Sequence, residues 1–81
     1  MRYADGQEVM LGDKVRLGDD DDGVVICSID TGDFSNEASE AQWGYLKRGA
    51  VIKFPKFGLI HYETAEPVLV LIARDTQGTH L

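Results

Sequence analysis

Residues 9–27 read VMLGDKVRLGDDDDGVVIC, and this stretch decides the fold. Val9, Leu11, Val15 and Leu17 alternate with Glu8, Met10, Lys14 and Arg16, broken once by Gly12-Asp13. A period of two gives strand backbone one apolar face and one wet face. Four aspartates follow, Asp19, Asp20, Asp21 and Asp22, closed by Gly23. Adjacent carboxylates repel one another, so this run is expected to stay in solvent as a hairpin loop. Val24-Val25-Ile26-Cys27 then forms an unbroken apolar run rich in β-branched residues, which suits a central strand buried on both faces.

Working outward, Asp5-Gly6 is a turn signal. Between Asp30 and Gly49 the period changes. Ser39 and Gln42 have the spacing of a capping box, Trp43 and Leu46 lie three apart, and Lys47 and Arg48 would complement a helix C-terminus. With Gly49 as a left-handed stop, these signals predict one short helix over 40–48, weakened by Gly44. Strands return at 50–54 and 59–62, separated by the turn Pro55-Lys56-Phe57-Gly58, and again at 68–73 after Pro67. The expected architecture is mainly β, a partly open barrel of about five strands with one short helix. Residues 1–74 form a single domain and 75–81 a polar tail. The expected core is Val15, Leu17, Val24, Ile26, Ile52, Phe54, Leu59, Ile60, Leu69 and Leu71.

Eighty-one residues make one domain, and a chain this short buries only about 60–65% of its unfolded surface. Its 43% apolar and 27% charged residues fit a globular chain and exclude a disordered one. No apolar run approaches the ~18 residues that cross a bilayer. The opening MRYADGQEV lacks the apolar stretch of a secretory peptide, and the single cysteine, Cys27, fits a reducing compartment. A cytoplasmic protein with an inert core thiol is therefore expected. Charge is uneven: residues 1–40 carry eleven acids and three bases, residues 41–81 three acids and five bases. The acidic half repels nucleic acid and favours a basic protein partner.

Several stretches invite a catalytic or metal reading. Asp30-Thr31-Gly32 is the tripeptide of a retropepsin-type aspartic protease, in which two carboxylates share a proton and activate water. Here Asp33 follows, adding charge beside the dyad, and no glycine-rich flap lies downstream, so a polar turn closing a strand is expected. The aspartate run fails as an EF-hand: with Gly23 at loop position 6, Gly18 stands at position 1 and Ile29 at position 12. His61 and His80 have no ligand partners at zinc spacing, and Ser28 and Ser35 have no visible base. No catalytic residue, metal site or cofactor is expected.

Gly12, Asp13, Val15, Gly23 and Val25 match the opening hairpin of KOW-type and related SH3-like barrels, where Gly-Asp-x-Val precedes a charged loop and a Gly-apolar-apolar strand. That resemblance covers a quarter of the chain and implies an SH3-like barrel. KOW domains bind RNA or ribosomal protein through basic loops, whereas this loop is the most acidic part of the chain. The chain as a whole resembles small, poorly characterised bacterial proteins. They share Gly-Val-Val-x-Cys-Ser-Ile-Asp-x-Gly-x-Phe-Ser, Trp-x-Tyr-Leu-Lys-x-Gly and Gly-Leu-Ile-His-Tyr, here residues 23–35, 43–49 and 58–62. Some such proteins act as immunity or accessory proteins beside toxins.

The expected function is a non-enzymatic protein-binding module, in the immunity reading one that masks a basic toxin surface. Asp19–Asp22 would steer the encounter, and Phe34, Trp43, Tyr45 and Phe57 are the candidate aromatic anchors. Trp43 has a second role open to it, tying the helix to the sheet. The alternative is a KOW-like regulator touching RNA or the transcription and translation machinery through Lys47, Arg48, Lys53 and Lys56. A retropepsin-like protease stands third.

Overall fold

Strands must pair to satisfy their backbone, and the chain does so by aligning five of them in one open antiparallel sheet. The structure, a computed structural model, describes residues 1–64 and 67–74. The expected tail over 75–81, with His80, lies outside the described residues. The strands are β1 (Lys14–Leu17), β2 (Asp20–Ser28), β3 (Ala50–Phe54), β4 (Gly58–Tyr62) and β5 (Leu69–Ala73). Their order is β4-β3-β2-β1-β5, so the first four form a meander and β5 returns to pair with β1. The expected mainly β class, with five strands and one short helix, is the class the chain adopts.

The first hairpin turns on only two residues, Gly18 and Asp19. Gly18 takes φ 63°, as the first central position of a type II′ turn requires. This corrects the expected loop over 19–22, because β2 already begins at Asp20, opposite Leu17. Beyond it Gly23 meets Phe54. A β-carbon at Gly23 would lie 2.4 Å from Phe54 Cε1, so only glycine lets the ring pack against this strand.

β2 is buried on both faces, as its apolar run predicts. One face joins Val15, Val25, Ala50, Ile52, Phe54, Tyr62 and Leu69 to Tyr3 and Val9 from the N-terminal segment. The other gathers Ile26, Cys27, Ile29, Ala38 and Val51 under Phe34, Trp43 and Leu46. A register shift between Val25 and Cys27 explains how consecutive residues reach one cluster. Such a bulge inserts an extra residue, and Cys27 then lies opposite Val51 instead of facing away.

The helix is shorter than expected: α1 spans Glu40–Trp43 and passes into a 3₁₀ turn over Gly44–Leu46. Ser39 caps it, accepting the Gln42 amide at 3.4 Å. The stop is Lys47 at φ 71°, not Gly49, and α1 has no basic residue in its last turn. Gly44, at the end of α1, favours the early change to 3₁₀ geometry. Of the expected core, Val15, Ile26, Ile52, Phe54 and Leu69 are buried and Leu17, Val24, Ile60 and Leu71 partly so. Leu59 is half exposed, because edge strand β4 turns Ile60 and Tyr62 inward and leaves Leu59 beside Lys53 on the outer face.

Candidate functional site

Asp20 organises the acidic hairpin. It is 2% exposed, and its Oδ2 accepts the backbone amide of Lys56 at 2.8 Å while Oδ1 accepts the amide of Asp22 at 3.2 Å. Lys56 reinforces the link, its Nζ lying 3.4 Å from the Asp19 carbonyl and 3.6 Å from the Asp19 carboxylate. The hairpin tip is thereby stapled to the β3–β4 turn. The next residue on that turn is Phe57, 51% exposed and edge-on to Phe54 at 6.0 Å between centroids.

The expectation of four solvated aspartates is thus corrected for one of them. The two-residue turn makes Asp20 a strand residue, and at that place its carboxylate meets a backbone amide that would otherwise lack an acceptor. Asp19, with an 88% exposed side chain, Asp21 and Asp22 face solvent. The aromatic candidates divide likewise. Phe34 and Trp43 pack partly buried onto the core around Ile26, Cys27 and Val51. Tyr45, 72% exposed on the 3₁₀ turn, and Phe57 keep their rings in solvent.

Beside the hairpin runs a groove of about 350 Å³ lined by Asp22, Val24, Ile26, Glu37, Lys53 and Pro55. Lys53 Nζ sits 2.6 Å from Glu37 Oε2 at its rim, while Asp22 has no ion-pair partner among the described residues. A smaller hollow of about 110 Å³ lies between β5 and the N-terminal segment, lined by Tyr3, Ala4, Asp5, Leu69 and Leu71 among others. Among the described residues its one carboxylate, Asp5, is held below the usual carboxylate range by the side chain and backbone amide of Gln7.

The remaining candidates are committed to turns. Gly32 donates its amide to the Ile29 carbonyl, Ser28 and Asp33 exchange backbone bonds, and Thr31 Oγ1 donates to Asp33 Oδ2 at 2.6 Å while lying 2.9 Å from the Ser28 hydroxyl, from which it can accept. Asp30 pairs with the amino group of Met1. Burial pushes its carboxyl upward, but that amino group and the Gly49 backbone outweigh burial and leave it below the ordinary value. Ser35 Oγ donates to the Ile26 carbonyl, and His61 Nε2 donates to the Arg48 carbonyl at 3.0 Å. Among the described residues, no group of three or more His, Cys, Asp or Glu is placed to hold a metal ion. None of their helices is long and apolar enough to cross a membrane.

A polar cluster with no signal in the sequence spacing lies at the other end of β1. Asp13 is fully buried and accepts from Tyr3 Oη at 2.8 Å, the Met10 amide at 2.9 Å and Arg74 Nε at 2.9 Å. Burial, then the bond to Asp13, raises the Tyr3 hydroxyl pKa far above its ordinary value. Arg74 is raised likewise by Asp13 and binds the Glu8 carbonyl as well, so these residues hold the N-terminal segment to the end of β5. No family model, curated protein or solved structure significantly matches the chain.

Proposed function

We propose that this chain is a non-enzymatic protein-binding module that takes a partner with a basic surface onto the face around the β1–β2 hairpin. One observation carries this. Asp20 ties the hairpin tip to the Phe57 turn, so outward carboxylates and an exposed aromatic ring sit side by side on a fixed support. Carboxylates accelerate encounter with a cationic surface, and a ring that buries on contact slows escape. An immunity protein masking a basic toxin surface is the specific form that fits this chemistry, acting in the cytoplasm, where Cys27 stays a thiol.

The RNA-binding alternative is weakened by its own residues. Lys53 is paired with Glu37 and Lys56 with Asp19, which leaves Lys47 and Arg48 as the unpaired members of that basic set among the described residues. Two cations make a poor phosphate track. The test uses wild-type protein and an Asp19→Asn/Asp21→Asn/Asp22→Asn variant as parallel baits in native extract at low salt, with a heparin column beside them. A basic protein held stoichiometrically by the wild type alone, with no heparin retention, is the expected result. Salt-sensitive heparin retention, or equal capture by both baits, overturns the proposal.

A further inference from the structure

The geometry points to Phe54, seated on Gly23, as a positioning residue that holds the exposed Phe57 ring in one orientation. This rests on the function proposed above for the use of that ring, while the positioning itself belongs to the free protein. Backbone and side chain of Phe57 are fixed by different means. Asp20 accepts the Lys56 amide at 2.8 Å, and Gly58 takes φ 81°, a left-handed position that suits glycine, so the chain on either side of Phe57 is set. A ring that is 51% exposed would still sample several staggered torsions about its Cα–Cβ bond. Phe54 removes that freedom. The two centroids lie 6.0 Å apart with the planes at 71°, an edge-to-face contact. The residue opposite Phe54 on β4 is Gly58, which puts no side chain between the rings.

Phe54 can hold another ring because it is itself immobile. It is 1% exposed at the end of β3, and a β-carbon added at Gly23 would lie 2.4 Å from its Cε1, 2.7 Å from its Cδ1 and 2.9 Å from Val15 Cγ2. Gly23 is not among the glycines with positive φ, so the position uses the missing side chain and not the freedom of the backbone. The sheet fixes its place, with Gly23 opposite Val15 and the next residue, Val24, opposite Lys53. The hairpin therefore reaches the β3–β4 turn twice, through Asp20 to the backbone and through Gly23 and Phe54 to the ring. A side chain ordered before contact loses less freedom on binding, which is what an aromatic anchor requires.

The experiment compares wild type with Gly23→Ala, Phe54→Leu and Gly23→Ala/Phe54→Leu, reading the Phe57 χ1 rotamer from three-bond NMR couplings and stability from urea unfolding. In the wild type one staggered rotamer should hold most of the population. Phe54→Leu and Gly23→Ala should each spread it over at least two rotamers. The double variant separates positioning from packing. Its smaller leucine makes room for the added methyl, so stability should recover toward that of Phe54→Leu, while Phe57 stays averaged because no ring faces it. A single Phe57 rotamer retained in Phe54→Leu overturns the positioning role, as does averaging that the double variant reverses together with stability. Should a variant not fold, the wild-type couplings still decide: one dominant rotamer supports the role and an averaged Phe57 overturns it. The two baits described above test the partner reading separately, because they alter neither Gly23 nor Phe54.

Discussion

Arg74 Nε lies 2.9 Å from Oδ1 of Asp13, a contact spanning 61 residues of sequence between the end of β5 and the turn before β1. It converts a fully buried carboxylate from a liability into a clasp. An unpaired charge there would forfeit its hydration with nothing in return, so Asp13 draws on Tyr3, Met10 and Arg74 together. Arg74→Met should destabilise the domain by about 2–3 kcal/mol, less than a fully buried pair because the Arg74 side chain keeps contact with water. Tyr3→Phe should cost about 1.5–2 kcal/mol through one charge-assisted bond. Urea unfolding measures both, and wild-type midpoints in both variants would refute the clasp.

Asp30 sets a pH dependence of known sign. Its folded carboxyl lies below the ordinary value, so its contribution is present above pH about 4 and is lost as pH falls through the folded value. Asp30→Asn should remove about 0.5–1 kcal/mol at neutral pH and flatten the acid limb of the stability curve. There should be no acid-optimum peptide cleavage to abolish. An unchanged acid limb, or proteolysis that disappears with the substitution, contradicts a structural Asp30.

Trp43 and Tyr45 should separate stability from binding. Trp43→Ala opens the outer-face core and should cost about 2–3 kcal/mol, below the figure for a fully buried ring because Trp43 is only partly covered. Tyr45→Ala, at an exposed position, should leave the melting temperature within about a degree or two of wild type. A Trp43→Ala protein that melts like wild type would return Trp43 to the binding face.

Cys27 should be inert in the native state. It is fully buried, and burial pushes its thiol up, so little thiolate forms at neutral pH. Labelling by a thiol-disulfide reagent should follow the unfolding equilibrium across a urea series. Rapid labelling in water would show that the roof over β2 opens locally.

The strands were legible because alternation and β-branched runs report burial directly: the run at 24–27 fixed a central strand and the Pro55–Gly58 signal its partner hairpin. Positions set by contacts distant in sequence were not. Asp20 reads as one of four equivalent charges, and only the two-residue turn, with Lys56 brought in by β3, makes it structural. Asp13 and Arg74 carry no local pattern linking them. Leu59 beside Ile60 looks like core until its strand proves to be an edge with one covered face. Of the site, the acidic tip and the exposed Phe57 and Tyr45 could be read ahead, whereas the groove depends on Glu37 reaching across from a loop to Lys53.

The steering role of the hairpin is tested most directly by association kinetics with the captured partner. The variant is Asp19→Asn/Asp21→Asn, which leaves the Asp20 carboxylate and its bonds in place and gives up only the exposed Asp19–Lys56 ion pair. At low salt it should associate several-fold more slowly than wild type, and the two should converge near physiological ionic strength, where charges are screened beyond about 8 Å. Dissociation rates should match throughout. Equal association rates at low salt, or a difference confined to dissociation, would contradict the account.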